Sequence, residues 1–575
     1  MSRTAPSLET WSANGRIAFA AILFATAVLR LAHLLAVADA PFVGQLALDS
    51  QEYDRWAREI LAGGSGDGAF FQAPLYPYVL AALYALFTAS PVVAYLAQIV
   101  AAVGACAALV ACGRRLAGER TGLLAGMLFA VYLPFWFHDV QLFKESFAVS
   151  AVCLLLLLLV EARRGERSWP WWCAGLVAGL LALLRENMLL VVPFLLPLVW
   201  RHDLSRRTVA SRALRLLVGF ALPLFPVLLH NGILAKRSGA FLPTTSQGGV
   251  NFWIGNNPQA DGTYRPLVPG KQIPAYEQAE ARRLAEQAEG RELTPAEVSG
   301  YWLRRALAWA KAEPLAFARL QLRKVGLYWS RYEWPDAVDY YWMKSISPPL
   351  RLPGLEFFPA ALLALAGLFF VRRELALWSP VLLFELGWMV TTVAFFLFSR
   401  YRLPAVPGLL LLAAVAIERT TRLWRSERRG AALVATAAIT VVWSIPHLAP
   451  FPPRRDLVEF NLGRLAEERG DRAAATAHYE RALAADPRNL LALLNLGTLA
   501  ARSGDLATAL PRFETAVAVA PDSDDAWANL GATCLAGGDL DGARRALNRA
   551  LELNPENRFA LHNRALLEKR SAPPG

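Results

Sequence analysis

Cysteine is scarce, with five in 575 residues (Cys106, Cys112, Cys153, Cys173 and Cys534), no CxxC pair and no metal-ligand spacing. That scarcity excludes a disulfide framework and a cysteine-built metal site. Four of the five lie in or beside apolar runs, where a small buried side chain is the default. Also missing is a pair of related halves with interrupted apolar helices, the pattern of a secondary transporter. Basic residues do not gather into a nucleic-acid surface. The net charge is +12, but the arginines come as short clusters between apolar runs, so they report membrane topology and no nucleic-acid partner is expected.

What the chain has in quantity is apolar sequence: 55% of residues, too much for an ordinary soluble protein of this length. Runs long enough to count as candidate spans fall near 17–38, 92–112, 121–137, 146–160, 170–184, 188–200, 213–231, 356–371, 379–398, 403–417 and 431–449. The first is longer than a signal-peptide core and is expected to stay uncleaved. The piece 74–88 is shorter, opens on Pro74 and Pro77, and reads as a helix lying in the interface. With that choice, five arginine clusters share the cytoplasmic side: Arg114/Arg115/Arg120, Arg163/Arg164/Arg167, Arg201/Arg206/Arg207/Arg212/Arg215, Arg372/Arg373 and Arg419/Arg422/Arg425/Arg428/Arg429. The expectation is a multi-pass inner (plasma) membrane protein with about eleven spans, its N-terminus in the cytoplasm and its C-terminus outside.

Residues 1–231 then form an N-terminal membrane module. Residues 232–355 form a mixed extracytoplasmic insert, with a turn-rich stretch around Asn251, Asn256 and Asn257 followed by helices. Membrane helices return over 356–449. From 456 to 570 the composition is that of soluble helices with a 34-residue period: Leu462-Gly463, Leu496-Gly497 and Leu530-Gly531 recur in phase with Ala475/Ala509/Ala543, Ala482/Ala516/Ala550 and Pro487/Pro521/Pro555. Small residues at helix contacts, an aromatic between them (Tyr479, Phe513) and proline at the turn are the tetratricopeptide pattern. The fold class is therefore all-α: a polytopic membrane bundle with an insert and a C-terminal α-solenoid.

Chemistry concentrates after the first span. Six acidic residues lie between Asp39 and Gln72 against Arg55 and Arg58, among them Asp49, Glu52 and Asp54 around Tyr53. His138, Asp139, Lys144 and Glu145 follow the third span. Arg185-Glu186-Asn187 interrupts two apolar stretches, which makes Arg185 either a site residue or half of a neutralised pair. Arg400-Tyr401-Arg402 precedes the tenth span.

Asp49 with Tyr53, the entry Pro74-Leu75-Tyr76-Pro77, Glu145 and Arg400-Tyr401-Arg402-Leu403-Pro404 together resemble the GT-C superfamily of membrane glycosyltransferases. Over residues 17 to 420 the chain looks most like the family 39 and Rgt-like group, which includes protein O-mannosyltransferases and the aminoarabinose transferase of lipid A. The resemblance implies transfer of a sugar from a polyprenyl-phosphate donor to an acceptor protein, lipid or glycan at the outer membrane face. By resemblance, Asp49 acts as general base in an inverting displacement, and Glu145 is the second-loop acid, with Asp139 competing. Such a reaction needs one base, and its phosphate leaving group needs charge stabilisation rather than an acid. Asp49 could also cap the helix that follows it.

Arg400 and Arg402, with Tyr401 between them, suit the donor phosphate, though arginines at span ends also snorkel. Glu52, Tyr53, Asp139, His138, Arg185, Asn251, Asn256 and Asn257 are candidate substrate contacts, the asparagines being equally well explained as turn formers. Family members differ in metal use. Where magnesium or manganese is bound, Asp49 and Glu145 would be its ligands. The family's lysine-proline-proline is Gln72-Ala73-Pro74 here, so one phosphate-binding lysine is missing. The repeats would bind the acceptor protein or an assembly partner. The alternatives are an O-antigen polymerase or ligase, whose arginines would lie in large late loops, and a non-enzymatic membrane scaffold or transporter.

Overall fold

The computed structural model describes residues 11–64, 70–165, 167–238, 242, 244–269, 274–336, 338–424 and 451–571. The chain divides into two compact units. One falls within Met1–Tyr264, Ala285–Asp336 and Met343–Phe451, the other within Arg265–Leu284, Ala337–Trp342 and Pro452–Gly575.

The first unit begins with α1 (Ala13–Val37), α2 (Asp49–Leu61), α3 (Leu75–Leu86), α4 (Pro91–Ala117) and α5 (Glu119–Ala130). It continues with α6 (Leu133–Asp139), α7 (Glu145–Arg164), α8 (Trp169–Leu184), α9 (Met188–Leu195) and α10 (Arg206–Ser238). The insert contributes α11 (Gly248–Gly255), α12 (Pro274–Glu289), α13 (Pro295–Ala312), α14 (Pro314–Tyr328) and α15 (Tyr340–Ile346), of which α12 and α15 straddle the division between units. The apolar helices resume with α16 (Phe357–Val371), α17 (Leu375–Val393), α18 (Ser399–Arg402) and α19 (Val406–Trp424).

Among the described residues, six helices are long and apolar enough to cross a membrane: α1, α4, α7, α10, α17 and the run Ser399–Trp424. The outward faces of α1 and α10 carry bare apolar side chains such as Phe24 and Leu222, as a lipid-facing surface does. The expected span at 431–449 lies outside the described residues. Several other expected spans are short or broken helices, because an apolar run reads the same whether it crosses a bilayer or is buried by neighbouring helices.

The run 121–137 is the clearest case. After α5 the chain leaves the helix, and Leu133 N–H donates to Leu355 O while Leu355 N–H donates to Val131 O, both at 2.9 Å. Those bonds satisfy backbone groups that a broken helix would otherwise leave bare. Trp136 Nε1 closes the bend on Ala130 O at 2.8 Å. The expected spans 170–184 and 188–200 are short helices that meet at Arg185, which is extended (φ −139°, ψ 104°) between α8 and α9.

Close helix contacts rest on small residues. A Cβ on Gly175 of α8 would lie 2.2 Å from Leu216 O of α10, and one on Gly219 of α10 would lie 2.5 Å from Trp172 O. These two backbones therefore touch through glycine, the usual device where apolar burial cannot drive association.

In the second unit, residues 455–571 form seven antiparallel helices of 13 or 14 residues. The 34-residue period is a repeated steric lock. A Cβ on Gly463, Gly497 or Gly531 would meet Tyr479, Phe513 or Leu547 at 2.5, 2.8 and 2.7 Å. Ala475, Ala482, Ala509, Ala516, Ala543 and Ala550 are fully buried where paired helices touch. The turns repeat too: Gly470, Gly504 and Gly538 adopt φ of 78°, 82° and 87°, a conformation that favours glycine. Asp471, Asp505 and Asp539 follow them and cap the next helix.

Candidate active site

The site is assembled at helix ends and breaks of the first unit. Asp49 opens α2, and its side chain does not cap that helix. Leu48 just before it holds φ 51°, ψ −125°, an unfavourable conformation for a non-glycine residue that costs about 1–3 kcal/mol. Glu145 opens α7. Both carboxylates therefore lie at helix N-termini, where the peptide dipoles favour negative charge.

A relay of buried polar groups sets the distance between them. Tyr53, one turn after Asp49, packs edge-on against Tyr76 with centroids 5.1 Å apart. Tyr76 Oη donates to Gln98 Oε1 at 2.8 Å. Gln98 Nε2 then donates to Asp139 O and Gln141 O, at 2.9 and 3.0 Å, and fixes the turn leading to Glu145.

Arg400 joins the pieces. Its Nη2 lies 2.8 Å from Asp49 Oδ2 and 2.6 Å from Asp336 Oδ2, and its Nε is 3.8 Å from Glu145 Oε1. Arg185 reaches Glu145 from the break between α8 and α9. The Tyr401 ring centroid lies 4.6 Å from the Arg185 guanidinium and 5.5 Å from that of Arg400, so one ring serves two cations. Arg400 Nε and Glu145 Oε2 are buried with no hydrogen-bond partner among the described residues. Unsatisfied polar atoms of opposite character in one cluster suit a ligand that completes both.

Charge at the site is tuned by burial. Burial, reinforced by Asp49, raises the Asp336 carboxyl to about 6, against the pull of Arg400. Burial lowers the Lys144 ammonium to about 8. The Tyr53 hydroxyl is pushed up by burial and by the Asp49 charge, and so stays protonated.

The sequence candidates brought together here are Asp49, Tyr53, Glu145, Arg185, Arg400 and Tyr401. His138 lies beside Glu145 in the lining of a small buried cavity. Others are committed elsewhere. Asp139 pairs with Arg30 at 2.7 Å and accepts from Ser146 Oγ at 2.6 Å, so of the two competing acids only Glu145 meets Arg400. Glu52 pairs with Arg55 on the outer face of α2.

Arg402, expected beside Arg400 at a phosphate, turns away. It donates to Tyr328 O, Ser330 O and Tyr332 O at 3.0, 2.8 and 3.2 Å and pairs with Glu333 at 2.9 Å. Asn256 is a buried strut, donating to Phe252 O and Ala394 O and accepting from Gln321 and Lys324. Asn257 caps its own turn by accepting from Gln259 N–H at 2.8 Å. Asn251 lies half-buried on α11, whose residues 248–255 were expected to be turn.

Asp336 is the residue that sequence reasoning missed. A signal was present: Tyr332-Glu333-Trp334-Pro335-Asp336 has the same acidic, aromatic, proline-bearing makeup as the first loop. Ser399 Oγ accepts from Trp334 N–H at 2.7 Å, and this contact aligns the segment with Arg400. As for a metal, no group of three His, Cys, Asp or Glu side chains fit to hold an ion occurs among the described residues. Asp49 and Glu145 have guanidinium groups interleaved between them, a donor set that does not fit a divalent cation.

Residues 71–230 match the family model for dolichyl-phosphate-mannose-protein mannosyltransferases. Residues 460–511 and 494–558 match the tetratricopeptide repeat. No curated protein matches the chain. Among solved structures, the oligosaccharyltransferase AglB of Archaeoglobus fulgidus, in complex with an inhibitory peptide and a dolichol-phosphate, is 13% identical. That match covers 81% of this chain and 60% of AglB, with a TM-score of 0.45. ArnT of Cupriavidus metallidurans bound to undecaprenyl phosphate is 13% identical, covering 98% of this chain and 90% of ArnT at a TM-score of 0.43. The first tetratricopeptide domain of human RPAP3 is 26% identical over 20% of this chain and 91% of that one, with a TM-score of 0.20. Residues 71–230 thus resemble the mannosyltransferase family and residues 460–558 the tetratricopeptide repeats, so the chain is GT-C-like in its helical unit and carries tetratricopeptide repeats in its tail.

Proposed function

We propose that the protein moves a sugar from a polyprenyl-phosphate donor to a hydroxyl of a protein, lipid or glycan acceptor at the outer face of the membrane, with inversion and with Asp49 as the base. The observation that carries this reading is the convergence of Asp49, Glu145 and Asp336 on Arg400. It places a carboxylate for the nucleophile beside a guanidinium for a phosphate. The resemblance of residues 71–230 to dolichyl-phosphate-mannose-protein mannosyltransferases supports a lipid-phosphate donor.

In the reaction, Asp49 takes the proton of the acceptor hydroxyl as that oxygen bonds to the anomeric carbon. The bond from the anomeric carbon to the phosphate oxygen breaks, and its electron pair leaves with the polyprenyl phosphate. Arg400, steadied by the Tyr401 ring, stabilises the charge gathering on that phosphate. Arg185 holds Glu145 and adds positive charge at the same place. When donor phosphate takes over Arg400, the Asp49 carboxylate is released to accept the hydrogen of the acceptor hydroxyl. No step requires a metal.

Arg163, Arg164 and Arg201 lie at the opposite end of α7 from this cluster. The positive-inside bias therefore supports an outward-facing site, a cytoplasmic N-terminus and an extracytoplasmic repeat domain. The concave surface formed by stacked repeats suits an acceptor protein or an assembly partner. The direct experiment supplies membranes with a radiolabelled polyprenyl-phosphate sugar and follows label into acceptor. Asp49→Asn is expected to lower transfer by about 10²–10⁴-fold while insertion and donor binding persist. Undiminished transfer would remove the base and the reading with it.

A further inference from the structure

At the other end of α7 from Glu145, the first unit has a second charged feature that the sugar-transfer chemistry does not use. α7 runs twenty residues from Glu145 to Arg164. At 1.5 Å per residue that is about 30 Å, the thickness of a bilayer's hydrocarbon core. Here a cleft of about 260 Å³ opens between α7, the segment after α9 and the start of α17. Arg163, Arg164, Arg201 and His202 line its polar side, and Ala376 and Leu377 line its apolar side.

Among the described residues, carboxylates near it are paired. Glu161 pairs with Arg115, and Asp203 pairs with Arg201. Arg163 has no carboxylate partner among the described residues. Its Nη1 donates to Leu198 O at 2.9 Å, its carbonyl accepts from Arg201 Nη1 at 3.3 Å, and its side chain lines the cleft. Trp169, Trp172 and Trp200 are 50%, 42% and 62% exposed at this same end of the bundle. Indoles in that setting mark the headgroup level of a membrane. A basic wall, an apolar wall and interfacial depth together select an amphiphile with a phosphate head.

We propose that this cleft binds the phosphate headgroup of an anionic membrane lipid, with Arg163 and Arg164 on the phosphate and the acyl stem along Ala376 and Leu377. Guanidinium forks suit phosphate oxygens, and basic pockets between membrane helices are sites for such headgroups. The site is independent of the sugar-transfer reading and stands or falls separately from it.

The test is native mass spectrometry of the full-length protein released from micelles holding equal phosphatidylglycerol and phosphatidylcholine. Wild type is expected to keep phosphatidylglycerol adducts over phosphatidylcholine by about tenfold. Arg163→Gln with Arg164→Gln should bring the two lipids to parity. Ala376→Trp, which fills the cleft and keeps every charge, should do the same, so a folding defect from lost arginines cannot imitate the result. Inorganic phosphate is added in a second arm. Displacement of the lipid by phosphate shows that the phosphate group alone is recognised, and persistence of the lipid adduct shows that the acyl stem contributes; either agrees with the proposal. Equal retention of the two lipids by wild type, or adducts undiminished in both variants, would overturn it.

Discussion

Two arginines two residues apart divide the work at the residue scale. Arg400 faces three carboxylates, whereas Arg402 is 2% exposed and holds the carbonyls of Tyr328, Ser330 and Tyr332 together with Glu333. Losing Arg402 would strand three main-chain carbonyls as well as Glu333, each stranded buried acceptor costing about 1–3 kcal/mol. Arg402→Ala is accordingly expected to lower the detergent-phase unfolding temperature well beyond Arg400→Ala, whose effect should fall on transfer. Equal losses of stability would refute this division. Asp336 supplies a pH signature. Its folded-state value, about 6, lies above the 3.8 of a free carboxyl. Its contribution to stability is then complete below about 3.8 and is lost as pH rises through about 6. Wild type should lose unfolding temperature across that window, and Asp336→Asn should lose less; matching profiles would count against the burial of this acid.

Asp49, Glu145 and Arg400 were legible in the sequence because each sits at the edge of an apolar run, where a charge stands out. Asp336 was not, because it lies inside a polar insert where one more acid carries no contrast. The fates of Arg402 and Asn256 were hidden for another reason. A side chain that binds main-chain carbonyls leaves no pattern in composition or spacing.

At the scale of elements, the repeats were the easiest part to read. Their packing is written twice, as a glycine and as the large residue that fills its space. Gly497→Val places a branched side chain where even a Cβ would lie 2.8 Å from Phe513. Overpacking of that kind costs about 1–3 kcal/mol. The expected outcome is a lower unfolding temperature for the repeat domain with transfer by the membrane unit unaffected at the permissive temperature. An unchanged melting profile would mean that the helix pair tolerates separation. The membrane helices were harder, since an apolar run specifies burial but not by what. The bend at Val131–Leu133 depends on Leu355, more than 200 positions later in sequence, and no local pattern announces such a partner.

For the whole molecule, the ordering principle is polarity across the membrane unit. Carboxylates and Arg400 gather at one end of α7, and arginine-rich turns gather at the other. The charge clusters in the sequence anticipated this separation, although the number of long helices did not follow from it. A reporter fused after Arg120 is expected to read as cytoplasmic and one fused after Gly575 as external. A cytoplasmic tail would keep the repeats from an external acceptor.

The most direct measurement is a double-mutant cycle on sugar transfer in reconstituted membranes, using Asp49→Asn, Arg400→Gln and the pair. If base and phosphate clamp form one centre, each single variant should lose transfer by about 10²-fold or more, and the double should lose little beyond the worse single. Losses that multiply independently, or an Asp49→Asn protein with full transfer, would contradict a shared centre at Asp49 and Arg400.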